Sequence, residues 1–145
     1  MFKIDIPIFD GKLLVCLRLE DWDSNYVREE VNKWFHSSTD KKRRKIYKVF
    51  KSAYKEVKDE NALGITQRYS GMFVVVLEQY THKAKDISIL THELLHVAIE
   101  HLRTIGMREG NDSTEAYTYL FDYLVEECML ELVKQGKENE AVQEI

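Results

Sequence analysis

One proline and six glycines in 145 residues leave little chain that must turn or break, which argues against long structureless loops and leaves most of the sequence free to form regular elements. The two cysteines, Cys16 and Cys128, lack the close spacing of a ligand pair. That removes cysteine-based zinc modules and disulfide scaffolds, and it suits a reduced compartment. No apolar run reaches the roughly 20 residues of a membrane span, and charges and Pro7 interrupt the apolar start of the chain, so neither an anchor nor a signal peptide is expected. The expected location is the cytoplasm. There is no glycine-rich phosphate loop, no G-x-S-x-G and only one E-x-x-H, so nucleotide hydrolysis, serine chemistry and a di-iron carboxylate site have no support.

What is present is a chain 44% hydrophobic, enough for one cored domain over residues 1–145, with a polar, flexible tail expected from Gly136. The first twenty residues alternate. Phe2, Ile4, Ile6 and Ile8 fall on one face, then Leu13, Val15, Leu17 and Leu19 follow Asp10-Gly11, which predicts a β-hairpin with a two-residue turn there. Pro7 places the first strand at a sheet edge or marks a free backbone position there. A helix capped by Asp23 or Ser24 should run to about Phe35, and a second from about Asp40 to Lys58. Ile65 to Tyr69 and Met72 to Glu78 form another hairpin about Ser70-Gly71, and the run from Met72 to Leu77, apolar on both faces, should be a covered central strand. Two helices complete the chain, one entered at Asp86 and one over residues 113–135. The fold class is α+β: a small mixed or antiparallel sheet of about four strands against several helices.

The strongest chemical signal is His92-Glu93-Leu94-Leu95-His96. At helical spacing the two imidazoles lie about 40° apart and one turn apart along the axis, so both can reach one metal ion while Glu93 flanks the open side, as in zinc hydrolases. Ile87, Leu90, Leu94, Leu95, Val97, Ala98, Ile99, Leu102 and Ile105 cover most of this helix, which is therefore expected to be buried on most sides. It keeps one polar stripe of His92, Glu93, His96, Glu100 and Arg103. The other reading of the stripe is a solvated face. His101 falls on the apolar side and reads as a packing or helix-end histidine. A third ligand must come from elsewhere, and Glu115, which eighteen residues separate from His96, shares a seam with Tyr119, Asp122 and Glu126 on the next helix. The alternative for Glu115 is a carboxylate favouring that helix's positive end.

With Glu115-Ala116-Tyr117 following H-E-x-x-H at this spacing, residues from about 72 to 130 resemble the gluzincin clan of zinc metallopeptidases in a minimal form, and also resemble small phage- or prophage-encoded proteins carrying the same segments. The resemblance implies a zincin-like fold, Zn²⁺ held by His92, His96 and Glu115, and Glu93 as general base. The activity expected is endopeptidase cleavage of a peptide or protein substrate by metal-activated water. Tyr119, or next Tyr117, would stabilise the oxyanion, and Glu100 and Asp122 would orient the ligand imidazoles.

Two other classes stand beside this one. The first is a metal-binding phage or accessory protein without turnover. The second is a nucleic-acid-binding module. Residues 41–58 hold nine basic side chains, whereas residues 109–145 hold ten acidic and two basic, so a net charge of −4 conceals a strongly polar molecule. Ile46, Val49, Phe50, Ala53, Tyr54 and Val57 at helical spacing also suit a helix whose lysines are simply its wet side.

Overall fold

The computed structural model describes residues 1–7, 10–17, 24–108 and 110–143, with side chains as far as Gly136. Strands β1 (Phe2–Ile6) and β2 (Gly11–Cys16) are followed by helices α1 (Ser24–Trp34) and α2 (Asp40–Glu60), strands β3 (Gly64–Tyr69) and β4 (Met72–Leu77), and helices α3 (Ala84–Thr104) and α4 (Thr114–Gln143). The sheet order is β1-β2-β4-β3. β1 and β3 run antiparallel to their neighbours and β2 pairs parallel with β4, so the sheet is mixed. Pro7 does follow an edge strand.

Alternation along the strands divides the core in two. Phe2, Ile4, Ile6, Leu13, Val15, Phe73, Val75 and Leu77 point to the face covered by α3 and α4. Leu14, Cys16, Met72, Val74 and Val76 point to the face covered by α1 and α2. Met72–Leu77 is buried throughout, as its unbroken apolar run requires of a strand with helices on both sides. In α2, Ile46, Phe50, Ala53 and Val57 recur at helical spacing and are buried on the sheet. Thr39 starts this helix by accepting a hydrogen bond from the Lys42 amide at 3.2 Å. Tyr69 pairs directly with Met72, so Ser70 (φ 43°) and Gly71 (φ 76°) are the two-residue turn, whose left-handed positions favour glycine.

The structure departs from the sequence reading at three termini. Gly11 pairs with Ile6 and so lies inside β2 rather than in the turn. Asp86 sits in the first turn of α3, two residues inside it, and reaches back to Thr81 instead of capping. α4 continues through Gly136 to Gln143, beyond the end expected near residue 135. Ile8, Leu19 and Asp23, assigned to strand faces and a cap, lie outside the described residues. No helix among the described residues is long and apolar enough to cross a membrane.

Candidate functional site

α3 lies across β3 and β4, with α4 beside it and over β1. Its entry is fixed by Asp86, which is buried and accepts hydrogen bonds from the Thr81 amide at 2.8 Å and the Thr81 hydroxyl at 2.5 Å. Those bonds, the hydroxyl's first, hold the carboxyl below the usual aspartate range. Farther along, the side chains buried on the sheet are Leu90, Glu93, Leu94, Val97, Ala98, His101 and Leu102. His101 packs edge-on against Phe73 with ring centroids 5.9 Å apart, which is the packing role read from its position.

Glu93 is the charged member of that buried face. Its carboxylate turns to the edge strand and accepts from the Thr66 hydroxyl at 2.5 Å. Gly64 makes the approach close enough, because a β-carbon there would stand 3.1 Å from the Glu93 Cγ and 2.8 Å from Leu77 Cδ2. Two shallow clefts flank this tie. One, of about 470 Å³, is bordered by Arg68, Phe73, His96 and Glu100, and the other, of about 350 Å³, by Leu63, Ser88, Ile89 and His92. His92 and His96 themselves are exposed, with their Nε2 atoms 3.1 Å apart. Nothing in the sequence signalled the partnership of Glu93 with Thr66, since it joins a helix to a strand that the chain visits 27 residues earlier.

The expected metal centre does not form. Among the described residues no three histidine, cysteine, aspartate or glutamate side chains come together in a way that could hold a metal ion. Glu115, Tyr119, Asp122 and Glu126 are exposed on the outer side of α4, whose inner side buries Leu120, Leu124, Cys128 and Leu132. The two polar seams therefore do not close on each other. The reason lies in the sheet order: Glu93 faces the β3 edge, whereas α4 packs toward β1 at the opposite edge. Glu100 bonds Arg103 at 3.0 Å, and the Tyr117 hydroxyl donates to the Met107 carbonyl at 2.9 Å. Leu95, flanking the stripe that bears the histidines, is 43% exposed, so that wet side is wider than the sequence reading allowed; Ile87, 36% exposed, lies in the first turn of α3. The gluzincin assignment, the bound Zn²⁺, the metallopeptidase activity and the inactive metal-binding alternative are all overturned by this arrangement.

On the other side of the sheet the cationic residues are organised. Arg44, Lys48, Lys51, Lys55 and Lys58 are exposed and recur every three or four residues along α2, within about 80° of one another around the axis. Between this row and α1 runs a groove of about 550 Å³ lined by Arg28, Val31, Asn32, Asp40, Arg43, Arg44, Tyr47, Lys48 and Lys51. Not every cation there is equivalent. The Arg43 guanidinium donates to the carbonyls of Phe35, His36 and Ser38 at 3.2, 3.1 and 2.6 Å and pairs with Asp40, so it closes the end of α1 and neutralises the groove's acid. Arg28 stacks over the Tyr47 ring at 4.5 Å. The Tyr47 hydroxyl is pulled below the usual phenol range, first by Ser24 and then by Arg28, despite partial burial. The sequence reading found the α2 cations but missed Arg28 and Asn32 as the facing wall; their spacing of four beside Val27 and Val31 was the available sign.

Compared with protein-family models, with curated proteins and with solved structures, the chain matches none.

Proposed function

We propose that this chain binds nucleic acid through its phosphate backbone, along the α2 row and the groove that α2 forms with α1. The observation that carries this reading is the alignment of Arg44, Lys48, Lys51, Lys55 and Lys58 on one exposed face, opposite Arg28. From Arg44 to Lys58 the row spans roughly 21 Å of helix. Like-charged side chains so close together repel one another, and a polyanion relieves that repulsion while its condensed counterions are released. Glu115, Asp122 and Glu126 of α4 lie across the sheet and do not oppose an approaching phosphate directly. Lysine and arginine supply point charges and forks for phosphate oxygens, so the expected mode positions a backbone and reads little sequence.

Fluorescence anisotropy with a labelled 20-base-pair DNA duplex, an RNA duplex and single-stranded RNA tests this. If five phosphates are neutralised, affinity for the DNA duplex should fall on the order of 500-fold between 50 and 200 mM salt. Lys48→Ala with Lys51→Ala should lower the log–log salt slope by about 2. No binding to any of the three probes at 50 mM salt, or binding untouched by the double substitution, would refute the proposal.

A further inference from the structure

The outer face of α4 carries a row that answers the one on α2. Glu115, Asp122 and Glu126 are exposed on it, spaced seven and then four residues apart. Arg44, Lys51 and Lys55 repeat that spacing in the same direction, and Lys55, Lys48 and Arg44 repeat it in reverse. On straight helices equal spacing means equal rise, so three acid–base rungs can form at once in either orientation. Among the acids on this face stand Tyr119, Leu130 and Val133, 71%, 48% and 54% exposed, which is unusual side-chain area to leave in water along one helix.

We infer that the α4 face is an interaction surface for a second copy of this chain, which presents its α2 row and α1–α2 groove. The occupant follows from two facts. The complementary charge is on this same chain, and the four-stranded sheet stands between the two faces, with α1 and α2 on one side and α3 and α4 on the other. One molecule cannot bring them together. Joining unlike faces makes a head-to-tail contact, which is not closed by a two-fold axis and can add further copies. Tyr119 supplies the aromatic anchor between the rungs formed by Glu115 and Asp122, and opposite charges set the register. The inference goes beyond nucleic-acid binding and does not require it, although a polyanion on α2 would compete with a second copy for the same cations.

Sedimentation velocity of the full chain, nuclease-treated and free of added nucleic acid, tests it. At 50 mM salt the weight-average mass should rise with concentration beyond that of a dimer, and at 500 mM salt the association constant should drop at least roughly tenfold as the charges are screened. Lys48→Glu with Lys51→Glu, and separately Asp122→Lys with Glu126→Lys, should each abolish association; circular dichroism checks that these exposed positions leave the helices intact. Mixing the two variants should restore it, because each then offers the face the other has lost. Tyr119→Ser should weaken association without changing its salt dependence. A chain that stays monomeric at 50 mM salt, association indifferent to salt, or association surviving in both charge-reversed variants would overturn the inference. None of these outcomes depends on whether the chain binds nucleic acid.

Discussion

Replacing Gly64 by alanine probes the contact that positions α3 against the edge strand. The added β-carbon would lie 2.8 Å from Leu77 Cδ2, and 3.1 Å from both Glu93 Cγ and Ile89 Cγ2. Carbon atoms settle about 3.5–4.0 Å apart, so Leu77 must yield by roughly 0.7 Å and the two α3 side chains by about half that. Leu77 is fully buried and has little room to move. Overpacking of this kind costs about 1–3 kcal/mol, and the lost glycine freedom of the unfolded chain returns about 0.4–1 kcal/mol, leaving a net loss whose midpoint is about 1.3 kcal/mol. Gly110 is the control: nothing lies within 4 Å of a β-carbon there, and its backbone is outside the left-handed range. Gly110→Ala should therefore raise stability by about 0.4–1 kcal/mol. Urea unfolding followed by circular dichroism separates the cases, because with a slope near 2 kcal/mol per molar the Gly64→Ala midpoint should fall by roughly 0.5–1 M. A Gly64→Ala protein as stable as Gly110→Ala would mean that α3 does not lie this close to β3, and the tie between Glu93 and Thr66 would go with it.

Thr66→Val should cost about 1–3 kcal/mol by urea unfolding, since it leaves the buried Glu93 carboxylate without its hydroxyl donor. Adding Glu93→Met should cost less than the sum of the two single changes; full additivity would show that the pair is uncoupled. Asp86 titrates lower in the folded chain than unfolded, so its contribution is complete above the ordinary aspartate range and is lost as pH falls through the depressed folded value. Thr81→Val should accordingly flatten the decline of melting temperature below about pH 4, and an unchanged decline would remove this role. Burial pushes the Cys128 thiol up to about 12. With Cys16 buried as well, native protein at pH 8 should react negligibly with a thiol reagent and take up two equivalents once denatured, whereas rapid native labelling would contradict the core packing. Phe50→Ala should lose about 3–5 kcal/mol by opening the α2 side of the core, and a loss under 1 kcal/mol would argue against that packing.

Much of the architecture was legible because it rests on local chemistry. A Ser-Gly turn between two strand-like runs predicts the β3–β4 hairpin, and the absence of alternation in the second run predicts β4 as a strand covered on both sides. Helical spacing in α2 separates buried Ile46, Phe50, Ala53 and Val57 from the lysines. Failures came where a local rule was asked a non-local question. Counting apolar residues around α3 treats Leu95 and Ile87 as buried, yet burial needs a neighbour on that side, and none covers these two fully. Glycine after aspartate reads as a turn, but the register of β1 against β2 draws Gly11 into the strand beside His101.

The sequence alone determined the secondary elements, the presence of two imidazoles and a carboxylate on one helix, and the segregation of basic residues on α2 from acidic ones on α4. All of these are fixed by identity and spacing along the chain, where rise and angle per residue are constant. Only the tertiary structure decided what these groups meet. Sheet order placed β3 beside Glu93 and sent α4 toward β1, so Thr66 became the partner of the buried carboxylate and Glu115 was left in solvent. Eighteen intervening residues set how far a side chain can reach, not the flank of the neighbouring helix on which it lands.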